Sequence, residues 1–517
     1  MKPINNYKGL TNSKNNLPIL GYSAIIGIAV GLLTCAYRFS LTYMEEFSIA
    51  IYGFLSEHML FIPLAFIILS GMGYCVGILV TKYKIISGSG IPQIKGVLMG
   101  HLKSKWLSTI IAKFIGGSVS MLAGLSLGRE GPSIQFGASI AQGIGNKLGK
   151  TRYEKRILIA SGAGAGLAAA FNAPLSGVIF TLEEIFKYFS PLILLTTMVA
   201  AVISNSIARL IFGSSAIFNF TFTSEIPLSK YWLLILLGAV LGLFGAIYNK
   251  FLLISIRLFN KIKDSKYRIA IAFIIAGLFG LIFPVVLCGG HFMMNSLTIE
   301  SSLGFLCIAF LMKFLFSMIS YGSGAPGGIF FPLLVMGATI GAIFAKISIS
   351  FFWLGPEFFA NIIILAMAGF FTAIVRAPIT GMVLLVEMTG SFSHLMPLSV
   401  VSLIAFVMAD LLKSEPIYDS LLHNLLVAQK SELNEKDEVR KITIETIVQF
   451  DSPADKKYVR ELHLPNNCLL ISVKRHNREF IPHGDTQVSA GDYLVFLADL
   501  SDETKIRKAI DELTNHE

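Results

Sequence analysis

The sequence has little charge, few cysteines and no recurrent metal-ligand spacing. Only 14% of its 517 residues are Asp, Glu, Lys or Arg, against 54% hydrophobic, with 40 Phe. A water-soluble surface on a chain this long needs more charge than that, so most of the chain is expected to face lipid or other protein. The five cysteines, Cys35, Cys75, Cys288, Cys307 and Cys468, are odd in number, widely spaced and form no C-x-x-C. That pattern speaks against a disulfide scaffold and a zinc site, and leaves them as small apolar residues. His58, His101, His291 and His394 are expected in loops, and no His/Cys/Asp cluster has ligand spacing, so no metal is expected. No nucleophile is paired with a base, which argues against an enzyme. Neither a cofactor nor a nucleic-acid partner is expected.

What charge there is, is unevenly spread. Residues 426–517 hold 13 Lys/Arg and 17 Asp/Glu, a net of −4; with the whole chain at +10, the first 425 residues carry +14. The first 425 residues read as a polytopic membrane domain, and 442–517 as a small soluble α/β domain after a polar linker at 426–441. The Lys/Arg excess fits cytoplasmic loops, and it also draws anions toward the mouths of a pathway. Met1 to Asn16 is polar and mildly basic, and the apolar run after Leu17 reaches Tyr37, too long for a signal-peptide core. A first membrane helix with a cytoplasmic N-terminus is expected, with the C-terminus cytoplasmic as well. Further apolar segments lie near 60–80, 106–127, 157–182, 191–212, 231–256, 268–288, 303–319, 329–351, 358–375, 378–389 and 396–409. Several are too short, too long or too broken for single spans of about 20 residues. Asn172-Ala173-Pro174, for example, interrupts a charge-free run from Ile157 to Leu182, which predicts two tilted helices meeting at a break.

One stretch places charge where the surroundings have none: Gly128-Arg129-Glu130-Gly131-Pro132, flanked by uncharged runs from Phe114 to Leu127 and from Ser133 to Asn146. Ionisable side chains at membrane depth are costly and face a cavity, a partner or a pathway. Pro132 suits the first turn of a helix, so the stretch predicts a helix beginning in mid-membrane with free N–H groups and Glu130 at its mouth. Such an end attracts anions. A carboxylate that can take an anion's place, and can also carry a proton, is a candidate gate. A structural pair with Arg129 is the competing reading, but adjacent helical residues point to different faces.

The chain also repeats itself. Ala173-Pro174-Leu175-Ser176-Gly177-Val178 matches Ala377-Pro378-Ile379-Thr380-Gly381-Met382, and each run continues to an acid, Glu183 and Glu387. Pro132 to Ile140 matches Pro332 to Ile340, again about 200 residues on. Two related halves, roughly 20–215 and 230–425, are expected, with the site at their interface. In the tail, Ile442 to Gln449, Cys468 to Val473 and Tyr493 to Leu497 read as strands, Gly491-Asp492 as a turn and Lys505 to Leu513 as a short helix.

Four motifs in order, Gly88-Ser89-Gly90-Ile91-Pro92, Gly128-Arg129-Glu130-Gly131-Pro132, Gly327-Gly328-Ile329-Phe330-Phe331-Pro332 and Pro416-Ile417-Tyr418, resemble those of the CLC family of chloride channels and chloride/proton antiporters. The resemblance runs over about residues 20–425 and implies an all-α membrane fold, an inverted repeat of tilted and broken helices, and a homodimer in a prokaryotic inner membrane. It implies chloride held by the hydroxyls of Ser89 and Tyr418 and the backbone N–H groups of Ile329 and Phe330. It implies Glu130 as the external gating glutamate and Glu184 as the internal proton relay. Ser89 stands where nitrate-preferring relatives have Pro, which implies chloride as substrate. Without the resemblance, Ser89 reads as a helix cap and Tyr418 as an interface tyrosine. Gln93 and Lys95 depart from the acids common in antiporter relatives, and put in doubt the salt-bridge pattern expected near Glu184. Lys113, Lys313 and Arg376 are expected to be counter-charges or to snorkel, Glu183 to be a solvated helix-end acid, and Glu387 to be structural. The function implied is chloride/proton antiport, with a passive chloride channel of the same fold as the alternative. A potassium-transport role suggested by the tail lacks a carbonyl-lined filter sequence. The tail itself, from Val439 to Leu497, is similar to TrkA-C-type domains. A dimer contact, a small-molecule regulator site and a passive folded tail all remain open for it.

Overall fold

The computed structural model describes residues 13–187, 189–213, 226–352, 354–432, 441–475, 478–499 and 503–515. The chain divides into a unit over Leu17–Asn424 and a second unit that holds Leu425–Glu517. Within the described residues, eight helices are long and apolar enough to cross a membrane.

The helices of the larger unit occur in two sets of eight. The first set is α1 (Ser13–Glu57), α2 (Ile62–Lys82), α3 (Ile91–Leu98), α4 (Trp106–Leu122), α5 (Glu130–Lys147), α6 (Arg152–Phe171), α7 (Pro174–Phe180) and α8 (Pro191–Phe212). The second is α9 (Tyr231–Asn260), α10 (Ser265–Ile282), α11 (His291–Asn295), α12 (Leu303–Gly322), α13 (Phe330–Phe351), α14 (Phe359–Val375), α15 (Pro378–Thr389) and α16 (Leu395–Leu411). α17 (Ile417–Glu432) follows, so the expected linker at 426–441 is helical through Glu432, and 433–440 lie outside the described residues. The expected break after α6 is a left-handed Asn172, φ 53°, followed by Pro174 in the first turn of α7. Its counterpart after α14 is a left-handed Arg376, φ 68°, before Pro378. Proline cannot donate into the preceding helix and starts the next one well.

Two reciprocal contacts tie the halves together. Gly128 N–H donates to the Gly328 carbonyl at 2.7 Å, and Gly328 N–H returns the bond at 2.8 Å in an antiparallel bridge. Equivalent residues paired this way are related by a local two-fold, and α5 and α13 leave the pairing point in opposite senses. That is the inverted repeat.

The second contact corrects the reading of Glu183. Its carboxylate is not a solvated helix-end acid: it accepts from Ile379 N–H at 3.1 Å, Thr380 N–H at 2.7 Å and Thr380 Oγ1–H at 2.7 Å at the start of α15. Glu387 does the same for Leu175 N–H, Ser176 N–H and Ser176 Oγ–H at the start of α7. Each acid caps the other half's helix, where orphan N–H groups and the helix dipole both favour an anion.

Lys113 and Lys313 also differ from expectation. Both are fully buried, and neither snorkels. Lys113 Nζ donates to the carbonyls of Ile86 and Gly88, and Lys313 Nζ to those of Val286 and Cys288. Each fastens the loop that enters α3 or α11. Arg376 is a counter-charge to carbonyls, donating to Phe406 O at 2.6 Å and Ser414 O at 2.7 Å. α14 is sheathed by protein: Ile362, Leu365, Met367, Phe370 and Val375 are all buried.

In the second unit, β1 (Lys441–Ile447), β2 (Cys468–Arg475), β3 (Arg478–Phe480) and β4 (Tyr493–Asp499) form an antiparallel sheet in the order β1-β4-β2-β3. Ile444, Val473, Leu494 and Phe496 alternate inward, and α18 (Glu503–Thr514) closes the core with Ile506 and Ile510. β3 was not anticipated; its three residues are too short to show alternation. Gly491, φ 85°, makes the turn before Asp492, whose buried carboxylate accepts from Arg475 Nε at 2.7 Å and Nη2 at 2.6 Å. That carboxylate raises the Arg475 pKa above its usual value.

The reciprocal caps give the first prediction. Glu387→Ala leaves three donors at the start of α7 without their acceptor and is expected to cost about 2–4 kcal/mol, with Glu387→Gln in between. Thermal unfolding of the detergent-solubilised protein reads this out. An unchanged midpoint would mean the caps contribute nothing.

Candidate functional site

The site is assembled from three glycine-bearing loops and one later helix. Gly88 and Gly90 take left-handed φ values of 66° and 99° and turn the chain into α3, with Pro92 in its first turn. Gly327 N–H donates to Gly88 O at 3.0 Å, and the Gly128–Gly328 pair joins the other two loops. Close approach depends on Gly131, where an added Cβ would stand 2.7 Å from the Ser89 carbonyl oxygen and 3.0 Å from Ser89 Cβ. The starts of α3, α5 and α13 therefore meet in one place, and none of the three has a side-chain cap. The contrast with α7 and α15, each capped by a carboxylate, is the main chemical fact of the fold. Uncapped, buried helix starts present N–H groups and positive dipole ends to whatever lies between them.

Around this point lie the residues singled out in the sequence. Ser89 is fully buried; its Oγ is 3.4 Å from Ile91 N–H, too long for a strong cap, and the Tyr321 hydroxyl bonds to it. Ile329 and Phe330 open α13, with the Phe330 ring packed on Phe171 at 5.0 Å, Phe180 at 6.3 Å and Phe371 at 4.7 Å. Tyr418 is fully buried near the start of α17, and its hydroxyl has no hydrogen-bond partner among the described residues. It is therefore not an interface tyrosine. A buried O–H left unpaired costs roughly 1–3 kcal/mol and asks for an acceptor.

Glu130 is fully buried, and neither carboxylate oxygen has a hydrogen bond of ordinary geometry; the N–H groups of Glu130 itself and Phe331 face it. No salt bridge joins it to Arg129 among the described residues. A Cβ on Gly128 would stand 2.4 Å from Glu130 Oε2 and 3.2 Å from Phe331 N, so the acid is folded back across the Gly128–Gly328 bridge toward the start of α13. The carboxylate lies where an anion would be attracted.

Glu184 belongs to a π-helical turn, Thr181–Phe186, that continues α7. Such turns are found frequently at functional sites. It is nearly fully buried and accepts from Lys95 Nζ at 2.8 Å. Lys95 also donates to Asp419 Oδ1 at 2.5 Å, and Lys187 pairs with the other Asp419 oxygen. The sequence marked Lys95 as a departure, and the structure shows what replaces the expected pattern. Asp419 was missed; its neighbour Tyr418 was the available signal. No group of three or more His, Cys, Asp or Glu side chains suited to a metal ion occurs among the described residues.

Comparison with known sequences bears on this geometry. The family model described as "Voltage gated chloride channel" matches residues 72–410, the stretch holding three of the four motifs. The chain belongs to this family, the CLC proteins. The TrkA-C domain model matches residues 444–511. Similar CLC proteins include the H(+)/Cl(-) exchange transporter ClcA of Vibrio cholerae, 34% identical over 81% of this chain and 92% of that one, and its namesake in Klebsiella pneumoniae, 33% identical over 82% and 92%. Among solved CLC structures, a slow cyanobacterial Cl-/H+ antiporter aligns with a TM-score of 0.75 and 33% identity, over 80% of this chain and 99% of that one. A CLC-type fluoride/proton antiporter shares the fold at a TM-score of 0.66 and 23% identity, over 78% and 97%.

The close approach at Gly131 is testable without a transport assay. Gly131→Ala drives a methyl group into the Ser89 backbone and is expected to destabilise by about 1–3 kcal/mol through overpacking. Gly53→Ala, where a Cβ meets nothing within 4 Å, is expected to leave thermal unfolding unchanged.

Proposed function

We propose that the protein exchanges chloride for protons across a membrane, as a secondary active antiporter. The observation that carries the reading is the pair of buried acids: Glu130 beside uncapped helix starts, and Glu184 within the π turn that continues α7. Relatives 33–34% identical over four-fifths of the chain, named as chloride/proton exchangers, support it.

In this reading chloride is held between the Ser89 and Tyr418 hydroxyls and the N–H groups of Ile329 and Phe330. Partial dipoles suit this task better than a full positive charge: they replace water around the ion yet let it leave. Tyr418, with a buried hydroxyl and no acceptor among the described residues, is the donor in most evident need of an anion. Ser89, rather than Pro, favours chloride. Glu130 deprotonated competes with the anion for the helix ends; protonated, it loses that attraction and swings aside. Each cycle therefore links a proton on Glu130 to the passage of chloride. Protons from the inner side load Glu184. From there the route to Glu130 passes the aromatic contact of Phe180, the residue immediately before the π turn, with Phe330 at the start of α13. Transient water carries the proton past that apolar wall.

The protein is taken to be a homodimer with one pathway per subunit, in a prokaryotic inner membrane with both termini cytoplasmic. No cofactor enters the cycle, and no covalent chemistry is performed. For the TrkA-C domain we favour a regulatory role, with a small molecule as the ligand class.

Reconstituted protein tests the reading. A chloride gradient across liposomes is expected to drive protons uphill, and Glu184→Gln to keep chloride flux while ending proton movement. Glu130→Gln, which mimics the protonated acid, is expected to give chloride flux that is nearly independent of pH and uncoupled. Wild-type protein that never moves protons against their gradient would be a passive channel.

A further inference from the structure

The antiport reading leaves one feature unused: the buried ammonium of Lys95 stands between two carboxylates. Its side chain is fully buried, 2.8 Å from Glu184 and 2.5 Å from Asp419. α3, the π turn and α17 supply one member each, from positions far apart in the sequence. Asp419 also makes an ion pair with a second cation, the half-exposed Lys187. The charges facing Glu184 are thus Lys95, Lys187 and Asp419, with the Tyr418 hydroxyl nearby. Other ionisable groups around it are engaged elsewhere. Glu183 caps α15, Arg376 lies 3.6 Å from Asp410, and Arg156 stacks over the Phe186 ring. A cavity of about 580 Å³ opens beside Glu184, lined also by Glu183, Lys187, Phe189 and Asp410.

We infer that Lys95 and Asp419 are positioning residues that set when Glu184 accepts its proton, with Asp419 receiving the lysine that Glu184 releases. This rests on the antiport reading with Glu184 as proton relay. The physical argument concerns a stranded charge. When a proton reaches Glu184 through the cavity, the carboxylate becomes neutral and its ion pair with Lys95 is lost. A buried ammonium left alone costs several kcal/mol, which would oppose protonation strongly. Asp419 already holds the same ammonium, so Lys95 keeps a full counter-charge while Glu184 turns neutral. The proton ends on a Glu184 oxygen, Lys95 remains charged throughout, and no other bond changes. When Glu184 passes its proton on, Lys95 is again shared. The ammonium alone would lock the relay in its charged form, and the second carboxylate unlocks it.

The two residues therefore act in opposite directions. Lys95→Met removes the cation that favours charged Glu184, so proton loading moves to higher pH. Asp419→Asn leaves the ammonium dependent on Glu184 alone, so loading moves to lower pH. Displacements of about one pH unit or more are expected, tenfold in proton concentration, as for a nearby charge at a buried site. The ratio of proton to chloride flux, measured in liposomes against the pH on the Glu184 side, cancels general losses of activity. Lys95→Arg, which keeps the charge, is expected to retain the wild-type profile. Infrared difference spectra, with the Glu184 carboxyl band assigned through Glu184→Gln, give the same titration without transport. They serve if Asp419→Asn yields too little active protein, through wild type against Lys95→Met.

Opposite displacements in flux ratio, or an upward-shifted Glu184 band in Lys95→Met, support the inference. Displacement of both variants in the same direction, or an unmoved Glu184 band, overturns it while wild-type protein still pumps protons. Wild type that does not pump protons overturns the antiport reading itself, and this inference with it.

Discussion

The structure depends on leaving three helix starts without side-chain caps in the middle of a membrane protein. Gly128 and Gly328 exchange hydrogen bonds across the two halves, and from that crossing α5 and α13 depart with their amide ends turned toward a common point. Gly131 lets the Ser89 loop come within van der Waals contact, which brings α3 to the same place. Buried N–H groups without partners are expensive. Elsewhere the fold meets that cost with Glu183 and Glu387; here, among the described residues, only the Glu130 carboxylate and a long Ser89 contact face the N–H groups, and neither makes a strong cap. The Glu130 carboxylate, or in the antiport reading an anion in its place, is what makes the arrangement tenable.

Charge is placed elsewhere so as not to spoil that balance. Lys113 and Lys313 could each put a full positive charge near the site, but both are spent on carbonyls of the entering loops. They stiffen the loops while their charge is partly offset by those carbonyl dipoles. Around Glu184 the charges are organised differently, as a chain of alternating sign from Lys187 through Asp419 and Lys95 to Glu184. The helix starts beside Glu130 present dipoles, and the cluster around Glu184 uses formal charges. An ion that must move on suits the former, and a proton that must be held until needed suits the latter.

Much of this was legible in the sequence because the membrane makes charge scarce. Glu130 stood out against two uncharged runs, and the Ala-Pro repeats marked both halves with their broken helices. The TrkA-C unit showed itself by a change in composition and by alternation in β1, β2 and β4. What was misread required knowledge of packing. Glu183 looked like a solvated helix end because its partner, the start of α15, lies 197 residues away at Thr380. Lys113 and Lys313 looked like snorkelling bases because their acceptors are backbone carbonyls, which carry no sequence signal. Lys95 was visible as an anomaly, but its partner Asp419 is 324 residues further on. Local spacing cannot reveal such a pair.

The central claim is that a halide sits at the meeting point of these helix starts. Crystals of the protein grown in bromide and measured at the bromine absorption edge test it most directly. The account predicts an anomalous peak within hydrogen-bonding distance of the Ser89 and Tyr418 hydroxyls, close to the amide groups of Ile329 and Phe330. In Glu130→Gln a second peak is predicted where the carboxylate lay. Well-ordered crystals with no bromide at that convergence, or with bromide only on surface lysines, would contradict it.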